Sequence, residues 1–259
     1  MKKWLFALLC VIIGIVACTT EKDYDYELER TETRIWPAAG INQINAATVN
    51  GEISVAATLD TLITAEITRS CRGEDSLDAE DHIDSIVVTD NIAAGQLNLA
   101  ADMPDDDPDR NYRADFDMTA PAAIFVDLAT VNGEVLIQNM TAGARVRITN
   151  GTVTTENLRG GIDAAVANGT MDCDMEELAA NQSALLATTN GDVTLLLPSD
   201  VIADFDAITT NGEVTVTGFG SVTYTINEMS HKAGTIGGGG GSATIDITVV
   251  NGNIAIQAR

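Results

Sequence analysis

Along much of this chain apolar and polar residues alternate singly, the period of a half-buried β-strand, and the alternation is interrupted at recurring points by the dipeptide Asn-Gly. It stands at Asn50-Gly51, Asn132-Gly133, Asn150-Gly151, Asn168-Gly169, Asn190-Gly191, Asn211-Gly212 and Asn251-Gly252. Two positions before each asparagine the residue is β-branched (Thr48, Thr130, Ile148, Val166, Thr188, Thr209, Val249), and four before it the residue is apolar. After the glycine comes a polar residue, then alternation resumes, as in Ile53 and Val55, Val135 and Ile137, or Val193 and Leu195. Period two therefore enters and leaves every corner. Glycine supplies a positive φ for a sharp turn, and asparagine tolerates left-handed geometry while bonding nearby backbone.

From Asn132 onward the spacings are 18, 18, 22, 21 and 40, the last close to two units with one diverged; the 82 residues between Asn50 and Asn132 leave room for about four more. Two architectures satisfy this pattern. Asn-Gly between alternating strands is the usual mark of an antiparallel hairpin; the alternative is a stack of coils of about 18–22 residues, each rising about 4.8 Å. Charge separates them. Five residues before the asparagine, successive units carry Asp127, Arg145 and Asp163, a ladder of alternating sign between coils only if the strands are parallel neighbours. The pattern predicts an all-β fold, a parallel β-solenoid of β-helix or β-roll kind, in which Val135, Val153 and Met171 share an interior column. The same register turns Cys173 inward as a small hydrophobe; the competing reading is a disulfide with Cys71.

The chain opens with Lys2 and Lys3, an apolar run from Trp4 to Val16, and Ala17, the order of an export signal and too short to span a bilayer comfortably. Ile15-Val16-Ala17-Cys18 resembles the lipobox of bacterial lipoproteins. That resemblance implies a signal helix over residues 1–17, cleavage before Cys18 and lipid, palmitate included, on Cys18; Thr19 in place of a retaining aspartate implies the outer membrane. Residues 18–34 are acidic and poor in aliphatics, and are read as a tether. Residues 35–118 are expected to form an irregular N-terminal β part of the solenoid, and 119–259 its regular repeat region. In the irregular part, Gly95-Gln96-Leu97-Asn98-Leu99 repeats the order found after the Asn-Gly corners, and Cys71 to Asp84 and Met103 to Asp117 each read as a charged loop or short helix.

The formal net charge of −24 becomes about −26 once Lys2 and Lys3 leave with the signal. Lys22 and Lys232 are then the only lysines, which excludes nucleic acid as a partner, since phosphate neutralisation needs clustered cations.

The run Ala123-Ile124-Phe125-Val126-Asp127-Leu128-Ala129-Thr130-Val131-Asn132-Gly133-Glu134-Val135 resembles the DUF4097 adhesin-labelled family. So does the closing stretch from His231 through the glycines Gly237 to Gly241 and Ser242 to Asn251-Gly252-Asn253-Ile254. The likeness covers residues 119–259 well and the earlier half weakly. It implies a β-helical or roll-like, surface-associated domain without a known catalytic site.

Candidate chemistry is sparse. Glu156 and Asp174, five past their glycines, are expected as stacked neighbours and offer a carboxylate pair of the kind polysaccharide-active β-helices use. His82 and His231 sit in no hydrolase motif and read as surface residues. Asp105-Asp106-Asp107-Pro108-Asp109 lacks the spacing of a calcium loop and reads as solvated. Gly237 to Gly241 reads as a connection between the last coils. No metal or cofactor is called for. The leading expectation is a non-enzymatic envelope module binding surface proteins or glycans through outward rows such as Thr154, Thr194 and Thr215; the alternatives are a polysaccharide-active enzyme and an envelope-stress or regulatory spacer. Oligomeric state stays open.

Overall fold

A computed structural model describes residues 24–104, 108–238 and 243–259. The signal segment, Cys18, Asp105 to Asp107 and Gly239 to Ser242 lie outside the described residues.

The chain begins with β1 (Tyr26–Pro37), β2 (Gln43–Asn50), β3 (Ile53–Thr58) and β4 (Leu62–Gly73), then a short helix α1 (Ser76–Ile83). After β5 (Val87–Ala93), β6 (Gln96–Asp102) and β7 (Arg113–Pro121) come three long strands bent at Asn-Gly: β8 (Phe125–Gln138), β9 (Ala144–Arg159) and β10 (Ile162–Glu177). In the remaining coils the corner divides two strands: β11 (Ser183–Asn190) with β12 (Val193–Leu197), and β13 (Ala203–Asn211) with β14 (Val214–Thr217). The hairpin β15 (Val222–Asn227) and β16 (His231–Ile236) follows, then β17 (Ala243–Asn251) and β18 (Ile254–Ala258).

Equivalent legs stack into two sheets. Legs before the corners run β5–β6–β2–β8–β9–β10–β11–β17–β13–β16–β15. Legs after them run β1–β4–β7–β3–β8–β9–β10–β12–β18–β14. The central pairings are parallel, with Val135 beside Val153 and Val153 beside Met171, so the parallel β-solenoid is the fold. Antiparallel strands close both ends, at β5, β1 and β4 on one side and at β16 and β15 on the other. Between the sheets lies one apolar core reaching from Trp36 to Ile256. Cys173 is buried within it at 1% exposure, and both Cys71 and Cys173 are free thiols.

The corners explain the dipeptide. Each asparagine amide donates to the Oδ1 of the asparagine in the coil beside it, at 2.7–2.9 Å, in the spatial order Asn211, Asn251, Asn190, Asn168, Asn150, Asn132, Asn50. The row ends on the carbonyl of Tyr112, 3.0 Å from Asn50 Nδ2. All these bonds point one way, so each polarises the next. At Gly151 (φ +148°) and Gly169 (φ +143°) a Cβ would overlap the carbonyl oxygen of the preceding glycine. Close backbone stacking, as well as φ, demands glycine there.

The coil order departs from the sequence at both ends. The gap of 82 residues does not hold four coils between Asn50 and Asn132, which pair directly; among its described residues it supplies one layer, β6 and β7, stacked on β2 and β3, and the rest of the N-terminal closure. The gap of 40 hides no diverged coil, because β15 and β16 form an antiparallel hairpin and the last coil, β17–β18, inserts between those of Asn190 and Asn211. The first coil is inserted likewise: β2–β3 lies between β6–β7 and β8, although β7 leads straight into β8.

Several boundaries read from the sequence move. The tether read as 18–34 loses its second half to β1, which pairs with β4 through twelve residues. Poverty in aliphatics does not prevent an edge strand, whose stabilisation comes from ladder hydrogen bonds and, here, from Arg30–Asp84 and Arg34–Asp90 ion pairs at 2.7 Å. The division between 35–118 and 119–259 falls inside β7 and separates nothing. Met103 to Asp117 is a loop only in part, since β7 begins at Arg113. Gly95 turns the β5–β6 hairpin, so Leu97 and Leu99 align with Ile44 and Ala46 before a corner rather than after one. The stretch from Cys71 supplies the end of β4 and then α1, capped by Asp75, whose carboxylate accepts from Leu77 N and Asp78 N at 3.0 Å. Asp78 on α1 takes a bidentate pair from Arg110 (2.7 and 3.1 Å), and Arg110 lies 4.6 Å over the Tyr24 ring.

Candidate functional site

On the outward face of the first sheet, the third position before the corner is Ala47, Ala129, Ala165 and Ala187 in four coils, and Arg147, Ile208 and Thr248 in the other three. Small side chains on adjacent strands make a floor. The first position before the corner carries Val131, Thr149, Ala167, Thr189 and Val250, and these flank it as a trough of about 610 Å³ running across the strands. Val131 and Val250 are 40% and 39% exposed, so the trough presents apolar surface to solvent on a rigid parallel sheet.

Next to the floor stands the charge ladder. Arg145 reaches Asp127 at 3.3 Å and Asp163 at 3.4 Å. Arg147 adds a shorter bond to Asp163 at 2.7 Å and also donates to the Asp163 and Val146 carbonyls at 2.8 and 2.9 Å. The Arg147 hydrogen bond, with a smaller share from Arg145, holds the Asp163 carboxyl below its ordinary range. These groups are between about a quarter and a half exposed, so each pair contributes at most about 1 kcal/mol. Their effect is positional: they hold both arginines to neighbouring strands, Arg147 at the wall of the trough. Arg147 escaped the sequence reading because it lies outside the row of alternating charges. Its signal was its position, an arginine where three neighbouring coils have alanine.

The other residues singled out in sequence do not converge. The register breaks after Cys173–Thr155, so Glu156 and Asp174 are not a stacked pair. Glu156 accepts from Gln138 at 2.7 Å, while Asp174 pairs across to Leu196 and lies 3.2 Å from Arg259. The cause is a bulge, with Asn157 at positive φ. His82 bonds the Asp78 carbonyl within α1, and His231 on β16 bonds Asp206 at 2.8 Å. Burial lifts the Cys173 thiol to about 12. The trough's alanine, threonine, valine, isoleucine and arginine lining offers surface for binding and no group to take a proton. Among the described residues no three or more His, Cys, Asp or Glu side chains gather as a metal site.

The sequence of residues 22–257 matches the model of a known family. The chain belongs to the Toastrack DUF4097 family. This Toastrack chain is similar in fold to a solved structure from Clostridium sporogenes named a "putative cell adhesion protein", with a TM-score of 0.51 and 13% identity, over 90% of this chain and 100% of that one. A "putative adhesin" from Bacteroides fragilis aligns with a TM-score of 0.33 and 14% identity over 89% and 97%. A "putative lipid binding protein" from Parabacteroides distasonis aligns with a TM-score of 0.26 and 9% identity over 88% and 96%. These two superpose too loosely to bear on the argument. No curated protein matches this Toastrack chain.

Proposed function

We propose that this Toastrack protein is a non-enzymatic, lipid-anchored module of the bacterial outer membrane that binds surface proteins or glycans of the cell envelope across its first sheet. The observation that carries the reading is the trough itself: an open, partly apolar surface on a rigid sheet, without an acid–base group in its lining. Concave, largely apolar surfaces with a few fixed polar groups are the common form of binding sites. The adhesion name carried by the Clostridium sporogenes structure agrees with this reading.

The anchor is Cys18. Tyr24 is already buried at 8% exposure beneath Arg110, and the six residue steps from Cys18 span at most about 20 Å. In this reading the end bearing α1 and β1 stands close to the bilayer and the β14–β15 end points away.

Two measurements test the proposal. Mass spectrometry of the N-terminal peptide should find acylated Cys18, and Cys18→Ala should move the protein from the membrane to the soluble fraction. Cells carrying Ala165→Glu with Ala187→Glu, which fill the floor with charge, should lose attachment to a surface that wild-type cells bind. Attachment unchanged in both this variant and a full deletion would overturn the binding role.

A further inference from the structure

Beside the trough, and sharing Ala129 with it, lies a second depression of about 510 Å³ on the same face. Its lining differs in kind. Gln43 and Asn45 from β2 stand next to Gln96 and Asn98 from β6, in the parallel register Gln43–Gln96 and Asn45–Asn98. Gln43 Nε2 donates to Asn45 Oδ1 at 2.6 Å, Asn45 Nδ2 donates to Asn98 Oδ1 at 2.7 Å and Gln96 Oε1 at 3.3 Å, and Gln96 Nε2 returns to Gln43 Oε1 at 3.4 Å. Asn98 Nδ2 extends the network to Asn91 at 3.0 Å.

These bonds decide what the patch can hold. A carboxamide has two N–H donors and an oxygen with two lone pairs. The mutual bonds fix the orientation of every amide but use one donor and one lone pair on each of Gln43, Gln96 and Asn98. One donor and one acceptor on each remain for a ligand, held in place before it arrives, so little side-chain freedom is lost on binding. A donor beside an acceptor at each point is the complement of a hydroxyl, which both gives and takes a hydrogen bond. An acidic ligand meets no cation in this lining, which carries the Asp127 carboxylate instead; Arg145, beside Asp127 on the next strand, is already held by Asp127 and Asp163. Phe125 follows Gln96 and Gln43 in the same outward row and is half-buried. It supplies an aromatic face against which the C–H face of a sugar ring can pack.

We propose that this carboxamide patch, flanked by Phe125, is a subsite for neutral pyranose glycans. It rests on the binding role above and names the ligand class for one part of that face.

The test is calorimetric titration of the full-length protein, solubilised in detergent, with neutral hexose and N-acetylhexosamine hexasaccharides, and with an oligogalacturonate of equal length as the acidic comparator. Saturable binding to at least one neutral glycan is expected. Asn45→Ala with Asn98→Ala, and separately Phe125→Ala, should each weaken it by about tenfold or more, the loss of one or two hydrogen bonds or of ring contact. Asn98→Asp, which keeps the shape and removes both amide donors, the one held by Asn91 included, should weaken binding as well, and a thermal midpoint close to wild type in it guards against a folding artefact. No binding to any neutral glycan, equal binding by the Asn45/Asn98 variant, or tighter binding of oligogalacturonate would each overturn the subsite. So would surface peptides that compete for this patch while glycans do not bind. If cell attachment survives loss of the patch but fails with Ala165→Glu and Ala187→Glu, the subsite falls and the binding role stands.

Discussion

Asn251 donates to Asn190 at 2.8 Å across 61 residues of chain, although another Asn-Gly corner, Asn211, lies between them in sequence. Asn211 instead donates to Asn251 from the far side, at 2.7 Å. The last coil of the chain is thus an interior layer of the stack. Asn251→Ala breaks two ladder bonds and Asn211→Ala one. At about 0.5–1.5 kcal/mol per bond, Asn251→Ala should cost about twice as much in a urea titration. Equal costs would contradict the inserted order.

The same insertion governs truncation. In a simple solenoid a terminal repeat is removed with modest loss, because each repeat touches only its neighbours. Here a chain ending at Gly238 lacks β17 and β18 and leaves the coils of Asn190 and Asn211 facing a gap. Loss of the cooperative thermal transition is expected, with circular dichroism as the readout.

Gly169→Ala should be among the most damaging single changes, costing more than about 3 kcal/mol, since the methyl meets the Gly151 carbonyl and the backbone is already at φ +143°. Gly220→Ala is the control. A Cβ there meets nothing within 4 Å, so its urea midpoint should match wild type.

Asp78 predicts a pH dependence. Its hydrogen bond from Arg110, helped by the Glu74 backbone amide, lowers its carboxyl from 3.8 to about 2. A depressed folded value means the stabilisation is whole above about pH 4 and disappears as pH falls through about 2. The stability gap between wild type and Asp78→Asn should be largest at neutral pH, no more than about 2 kcal/mol because the carboxylate is partly open to solvent. It should narrow as denaturant melts are repeated from pH 5 down to 2.5.

The two core thiols should be inert. Both are closed off from solvent, and burial raises both thiols, Cys173 to about 12, which disfavours the reactive thiolate. Alkylation in native buffer should leave both untouched over hours, and concentrated guanidinium should expose them together. Rapid labelling of Cys173 in the folded protein would mean that the interior column opens.

Much of the coil was legible because its determinants are local. Asn-Gly marks the corner, period two marks the inward rows, and the spacing of 18 between Asp127, Arg145 and Asp163 already implied the parallel register in which they now stand. The carboxylate pair of Glu156 and Asp174 was misread because a bulge falls at these very positions, breaking the register between Cys173 and Met175 before it is restored at Glu177. β1 was missed because its pairing lies in the backbone, which composition does not report. The trough and the amide patch were not legible, since a surface made by adjacent coils needs to know which coils are adjacent.

By itself the sequence determined the unit: a strand, an Asn-Gly corner, a second strand, and a preference to stack in parallel on another such unit. Which unit stacks on which was decided only in three dimensions. Every corner offers the same asparagine amide and the same backbone ladder, so local chemistry accepts any coil as neighbour. The choice falls to the long connections and to the antiparallel strands at the ends, where β2–β3 and β17–β18 are enclosed by chain distant in sequence.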